Sequence, residues 1–267
     1  MRPYSPLVYV VLTYKNTEDL QDFFVHLSGP ARRVVVVNSF YDEASSVAMR
    51  RVAESHGADY LDVPNKGYGA GNNAGIAYAQ SHYEFDALVV SNADLEIEAW
   101  DFPAPAALRN DITAPRIRTL TGKAQNPYYA VRNRVGEWCF RRYAKSGNTL
   151  WMWLAVAMNK LLREFFLLVT RIYHRSHYRV AAAHGAFLII GREALMQLGL
   201  PLFDERMFLF CEEVHLARLA RRKGVRIVYC PGIRILHKED GSMSVAQVNQ
   251  SAQELRSWRV LYGLEGE

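Results

Sequence analysis

The octapeptide Ala87-Leu88-Val89-Val90-Ser91-Asn92-Ala93-Asp94 passes from four apolar residues to four small or polar ones. An apolar run so short, with two β-branched members, predicts a buried strand that ends at Ser91. The same pattern recurs upstream. Val8–Leu12 (VYVVL), Arg33–Val37 (RVVVV) and Tyr60–Val63 read as three further strands. Helical spacing fills the gaps between them: Thr17–Leu27, with Thr17 as candidate cap, then Asp42–His56, then a helix running from the glycine-rich stretch Gly67–Gly75 through Gln80. Strands that alternate with helices imply crossover units and a mainly parallel sheet covered on both faces. Such sheets bind ligands outside the carboxyl ends of their strands. The polar residues at those ends are therefore the candidates: Thr13 and Tyr14, Asn38 and Ser39, Asn65, and Ser91 to Asp94.

The chain has 267 residues, 50% of them hydrophobic, which suffices for the core of a single α/β domain. Such a composition excludes disordered, collagenous and disulfide-framed classes. Cys139, Cys211 and Cys230 form an odd set without framework spacing and read as buried thiols of a reducing cytoplasm. The opening MRPYSPLVYVVLTYKN lacks the long apolar region and cleavage site of a secretory signal, and no run reaches the length of a bilayer span. A net charge of +5 is too small to argue for nucleic acid, and no nucleic-acid motif accompanies it.

Pro103 and Pro105 open an irregular stretch, and Ile112–Ile117 reads as another strand. Leu150–Thr170 (LWMWLAVAMNKLLREFFLLVT) has Asn159, Lys160, Arg163 and Glu164 at helical spacing on one face and large apolar residues around the rest. Basic residues flank it: Arg132, Arg134, Arg141, Arg142 and Lys145 before, Arg171, Arg175 and Arg179 after. Two readings stand: a helix packed on the domain or in a homodimer, and an amphipathic helix in the surface of an anionic membrane, contacting it through residues 132–179. After Val180 the α/β pattern resumes. Ala186–Ile190 reads as a strand, Arg192–Leu198 and Glu212–Lys223 as helices, the second stopped by Gly224, and Arg226–Tyr229 and Ile233–Leu236 as strands.

Three features could carry chemistry. Asp94 follows a strand, so its carboxylate emerges at the sheet edge, where oxygen ligands suit Mg²⁺ or Mn²⁺; the plainer alternative is a turn that bonds its own backbone. Glu212 and Glu213 open a helix, where the macrodipole favours them. They also follow the apolar MFLFC, whose burial would raise a carboxyl pKa toward that of a useful base. His237 ends a strand and is either a metal ligand or a satisfied loop histidine. Gly67, Gly69, Gly71 and Gly75 fit neither the dinucleotide fingerprint nor the P-loop.

Four blocks together resemble glycosyltransferase family 2, inverting enzymes of the GT-A fold, and among them the rhamnosyltransferase-like branch of bacterial surface-polysaccharide synthesis. They are VYVVLTYKN, NKGYGAGNNAGI, VVSNADLEI and the long segment from HGAFLIIGREAL through FDERMFLFCEEVHLARLARRKGVRIVYCPGIRILH. The resemblance covers most of residues 7–118 and 182–243. It implies an α/β, GT-A type (Rossmann-like), mostly parallel central sheet flanked by helices; the amphipathic helical insert, read from the residues, is not covered by it. Residues 1–118 would form the nucleotide-sugar half, 119–181 the insert, 182–245 the acceptor half and 246–267 a C-terminal helix.

The resemblance also implies roles. Thr13, Tyr14, Asn38, Asn65, Gly67, Asn72, Asn73, Asn92, Asp94 and Gly185 would bind the donor, a nucleoside-diphosphate-sugar. Asp94 and His237 would hold Mg²⁺ or Mn²⁺, and Glu213, supported by Glu212, would be the catalytic base toward a glycan or lipid-linked acceptor. The implied setting is the cytoplasm, at the inner face of the cell membrane. This chain departs from the family at Asn38, where an Asp is usual, at Glu213 in place of the Asp of a Glu-Asp pair, at His215 and at Leu219. A non-catalytic sugar-nucleotide-binding or scaffolding protein is the competing expectation. A nucleotidyltransferase is not supported, because TYKNTED supplies no glycine-rich basic phosphate loop.

Overall fold

The computed structural model describes residues 2–29, 32–101, 108–238 and 250–265; Pro103, Pro105 and the start of the expected C-terminal helix lie outside them. Four strands, β1 (Tyr4–Thr13), β2 (Arg32–Phe40), β3 (Asp59–Pro64) and β4 (Glu84–Asn92), form the frame. They pair in parallel, β1 lying between β2 and β4 and β3 beyond β2. Alternate side chains go to opposite faces. Val8, Val10, Val35 and Val37 pack with Ile76 and Ala79 of α3 (Tyr68–His82). Leu7, Tyr9, Val11, Val34 and Val36 pack with Leu20 and Phe23 of α1 (Thr17–His26) and Met49 and Ala53 of α2 (Glu43–Ser55). Both faces are covered, which is why these strands read as unbroken apolar runs. At Gly75 a Cβ would come within 2.6 Å of Val37 Cγ2, so α3 lies closer to the sheet than any larger residue permits. The cap of α1 is Asn16, not Thr17: its Oδ1 accepts from the backbone N–H of Glu18 and Asp19 at 3.1 and 3.3 Å.

The remaining strands are β5 (Leu95–Trp100), β6 (Asp111–Thr119), β7 (Tyr178–Arg179), β8 (Phe187–Gly191) and β9 (Arg226–His237). They extend the sheet in the order β3-β2-β1-β4-β8-β6-β9-β5, with β7 also on β9. Here the expected parallel character stops. The short β8 runs antiparallel to both β4 and β6, and β5 and β7 run antiparallel to β9; only β6 and β9 pair in parallel. The sheet is mixed. The two segments read as Arg226–Tyr229 and Ile233–Leu236 are one strand, β9, and β6 shifts register against it between Pro115 and Arg116.

Among the described residues five more helices follow: α4 (Arg134–Ser146), α5 (Thr149–Tyr173), α6 (Arg192–Leu198), α7 (Glu212–Lys223) and α8 (Gln250–Tyr262). A third core joins Cys139, Phe140 and Tyr143 of α4 and Ala155 of α5 to Met207, Val214 and Trp258, with the Phe140 and Trp258 rings stacked at 4.1 Å. Cys139, Cys211 and Cys230 are buried free thiols. The polar quartet expected on one face of α5 splits, since neighbouring residues on a helix lie about 100° apart. Asn159 and Arg163 turn inward, and Lys160 and Glu164 face solvent.

Candidate active site

A cavity of about 210 Å³ opens between the carboxyl ends of β1 and β4, where the strand order reverses. Thr13, Tyr14, Asn65, Gly67, Tyr68, Asn92 and Asp94 line it. Thr13 adds to the wall while its hydroxyl is taken up by the Val37 carbonyl at 3.3 Å. Tyr14 meets Tyr41 edge to face at 5.9 Å, and the Lys15 ammonium lies 3.4 Å above the Tyr41 ring, giving an aromatic rim that carries a cation. Gly67 starts α3 at φ +102°, and a Cβ there would strike the carbonyl of Phe208. Only glycine lets the Tyr68 N–H reach that carbonyl, at 2.9 Å, and so ties α3 to the loop before α7.

A second cavity, about 560 Å³, shares Tyr68, Asn92, Asp94 and Leu209 with the first, so the two are halves of one cleft. Glu212, Glu213, Asp94 and His237 line it together with Gln125, His184 and Gly185. The two glutamates are aimed by Phe210 and Cys211, which sit at φ +73° and +71° in a region that side chains disfavour. The strain is held in place by the buried Cys211 and by Ser257, whose hydroxyl donates to the Leu209 carbonyl at 2.6 Å.

The acids differ in their partners. Glu213 Oε1 accepts from the Gly185 N–H at 3.3 Å, whereas Glu212 Oε1 is buried with no hydrogen-bond partner. Burial first, then the charge of Glu213, pushes the Glu212 carboxyl up to about 8. Glu213 is also raised, by burial, with the Gly185 N–H working against the shift. Two buried carboxyls this close do not both ionise at neutral pH. The proton belongs on Glu212, since Glu213 has the donor that stabilises its anion.

In the same lining, His237 Nδ1 lies 2.7 Å from Gln125 Oε1 and His237 Nε2 lies 3.2 Å from Asp94 Oδ2. An amide oxygen only accepts, so Nδ1 carries a proton in that contact, while Nε2 is turned toward a carboxylate oxygen that likewise only accepts when ionised. On a neutral ring the two are facing acceptors and call for a proton or a cation between them. The unpartnered, buried Oδ1 of Asn92 belongs to the same lining. No group of three or more His, Cys, Asp or Glu residues forms a closed metal site among the described residues. The set fits an open octahedral ion, which takes one or two protein ligands and fills its remaining positions from water and phosphate oxygens.

Three lining residues were not singled out by the sequence. Tyr68 donates its hydroxyl to the Gly185 carbonyl at 2.8 Å, and its pKa is raised by burial and further by the charges of Glu213, Glu212 and Asp94. His184 is lowered to about 3, by burial and then by His237, Lys123 and Arg163, so its ring is neutral. The Ala186 N–H donates to its Nδ1 at 3.2 Å, which leaves the proton on Nε2. Gln125 sets the His237 tautomer. Tyr68 stands inside the glycine-rich block and His184 opens the block HGAFLIIGREAL, so a signal for both existed; nothing in the local sequence marks Gln125.

Three expected donor contacts lie elsewhere. Asn38 turns its amide to Asp62 Oδ1 at 2.8 Å and lines neither cavity, because β3 sets Asp62 directly beside it. Asn72 is fully buried on α3 and donates back to the Tyr68 carbonyl at 3.0 Å, outside both linings. Asn73 is a clasp. Its Nδ2 donates to Phe203 O and Glu205 Oε1, and its Oδ1 accepts from the N–H groups of Leu202 and Phe203, so its amide has nothing left for a ligand. Thr13, Tyr14, Asn65, Gly67, Asn92, Asp94, Gly185, Glu212, Glu213 and His237 do converge on the one cleft.

GalNAc-T7 in complex with UDP, GalNAc and Mn²⁺ matches the structure at a TM-score of 0.56, with 14% identity, over 88% of this chain and 44% of its own. The mannosyltransferase PcManGT of Pyrobaculum calidifontis, in complex with GDP-Man and Mn²⁺, matches at 0.55, with 17% identity, over 100% of this chain and 67% of its own. The fold is of the GT-A type. By sequence, the chain is similar to the low-salt glycan biosynthesis hexosyltransferase Agl10 of Haloferax volcanii, 26% identical over 236 residues. That match takes in 86% of this chain and 66% of the relative, just under two thirds of its length. No family model matches the sequence.

Proposed function

We propose that this chain is a metal-assisted, inverting glycosyltransferase of the family 2 type, moving a hexose such as rhamnose from a nucleoside diphosphate to a hydroxyl of a glycan or lipid-linked acceptor. One observation carries the reading: the Asp94–His237 pair and Glu213 line a single cavity, and Tyr68 in the same lining lies near enough to feel the charges of both Glu213 and Asp94. The hexosyltransferase relative, the GDP-Man complex of PcManGT and the UDP and GalNAc complex of GalNAc-T7 support the same class.

The smaller cavity receives the nucleotide, its base against the Tyr14 and Tyr41 rim and its diphosphate toward Asn92 and Asp94. A divalent ion at Asp94 and His237 would supply Lewis-acid neutralisation of the departing diphosphate. Gln125 keeps Nε2 of His237 free for that role. In the larger cavity the Glu213 carboxylate takes the proton of the acceptor hydroxyl as that oxygen bonds to the anomeric carbon. The bond from the anomeric carbon to the diphosphate breaks, and its electron pair leaves with the nucleoside diphosphate. A base and a leaving group on opposite sides of the anomeric carbon would make this an in-line displacement with inversion. Glu212, holding its proton, keeps a second negative charge away from the incoming hydroxyl.

A thermal-shift panel of UDP-, GDP- and dTDP-hexoses, each with and without Mn²⁺, tests the reading, because a ligand that binds the folded state raises its melting point. At least one donor should stabilise the protein only with Mn²⁺ present and should release its nucleoside diphosphate on incubation. No Mn²⁺-dependent shift with any donor would reject it.

A further inference from the structure

We propose that the outer face of α5 docks on the surface of an anionic lipid bilayer, lying in its plane. The inference stands independently of the catalytic reading. Leu150, Leu154, Leu161, Phe165, Leu168 and Ile172 recur at helical spacing along one side of α5 and are exposed, from 44% at Leu154 to 72% at Leu161. They form an apolar stripe along a helix of 25 residues, ~37 Å long. Scattered surface leucines are ordinary, but a contiguous stripe of this length marks an interaction face.

The stripe faces outward by construction. Ala155 and Leu167 are buried on the opposite side, and Asn159 accepts there from Asn133 Nδ2 at 3.3 Å. The inward-turned Arg163 is 15% exposed and lies near enough to His184 to act on its charge. Asn148 caps the helix start, its Oδ1 accepting from the Leu150 N–H at 3.0 Å, and the Tyr178 hydroxyl donates to the Thr170 carbonyl at 3.1 Å near its end. Polar contacts thus fix the helix rotation and leave the leucines to the outside.

Charge selects the occupant. Residues 131–180 carry ten Lys and Arg against two Glu, while the whole chain has a surplus of only +5. The rest of the molecule is therefore net negative. Arg134, Arg141, Arg142 and Lys145 on α4, which packs on α5, and Arg171 in the last turn of α5 and Arg175 just past it, are exposed. Trp138 and Trp153 are exposed on the same hairpin, and indole rings favour the headgroup level of a bilayer. An apolar face accompanied by cations fits a lipid surface of negative charge. A second copy docked on the same face would set cation against cation. No helix among the described residues is long and apolar enough to cross a membrane, so α5 would lie on the surface rather than span it.

The test is co-sedimentation of the full chain with vesicles of phosphatidylcholine alone and of phosphatidylcholine mixed with phosphatidylglycerol. Binding should be at least tenfold stronger to the anionic vesicles and should weaken at 1 M salt, where the Debye length falls to about 3 Å. Leu161→Glu with Phe165→Glu, at sites already in water, should abolish it while leaving the melting point unchanged. As a second variant, Arg141→Glu with Arg142→Glu should weaken anionic binding by roughly fivefold or more per residue and leave the stripe intact. Equal binding to both vesicles, no binding to either, or a dimer in sedimentation velocity that Leu161→Glu dissociates would each overturn the proposal.

Discussion

The two halves of the cleft are built by opposite means. The smaller half is walled by strand ends and the start of α3, its shape set by backbone positions such as the close approach at Gly67. The larger half is walled by a loop with two left-handed residues, a helix start and side chains whose protonation is displaced by burial. Rigid sheet edges are suited to hold a ligand whose shape is constant. Proton transfer needs groups whose charge the solvent does not set, and these a sheet edge exposed to water does not provide. Asn92, Asp94 and Tyr68 belong to both halves, which is where a bond between donor and acceptor would have to form.

If this division of labour is right, damage to each half has its own signature. The largest effect belongs to the reacting half: Glu213→Gln should lower turnover by roughly 10²–10⁴-fold while donor affinity, measured by calorimetry, stays within a factor of about two. A parallel loss of donor affinity would erase the distinction between the halves. At the seam, Gln125→Leu should weaken Mn²⁺ binding by roughly 10–100-fold by releasing the His237 tautomer, with the fold preserved in circular dichroism. Asn73→Ala should lower unfolding stability by about 1–3 kcal/mol in urea titrations and leave donor affinity per folded molecule unchanged, as a clasp would and a donor contact would not.

The smallest effect is in pH. Glu212 has a folded pKa of about 8 against an ordinary 4.5, so the folded protein keeps a proton that the unfolded chain gives up. Its contribution to stability is complete below 4.5 and declines as pH rises toward 8, by at most ~1.4 kcal/mol per pH unit. Glu212→Gln should flatten the fall in melting temperature over that interval. An unchanged slope would place the proton elsewhere.

How far the sequence discloses these features depends on whether their cause is local. The parallel strands are legible because burial on both faces leaves Val-rich runs, Asp94 because it stands just past such a run, and Glu213 because its acidic pair follows the apolar MFLFC. The β8 strand is legible as a strand, but its antiparallel direction depends on where β4 and β6 stand, which no local residue records. Asn38 ends its strand as expected, yet its amide is claimed by Asp62 on a neighbour 24 positions away. Asn73 looks like a ligand-facing polar residue and is instead consumed by the turn at 202–205, 129 positions downstream at Leu202. In α5 the hydrophobic periodicity is clear, but which side is inward is set by Asn133 and the third core, so Asn159 and Arg163 turn inward beside the buried Ala155 and Leu167.

Calorimetric titration of UDP and GDP, with and without Mn²⁺, into the wild type, Asp94→Ala and Glu213→Gln tests most directly whether a cation and a base face each other across this cleft. The account predicts Mn²⁺-enhanced binding in the wild type and in Glu213→Gln, and loss of the enhancement in Asp94→Ala. Undiminished Mn²⁺ dependence in Asp94→Ala would contradict it.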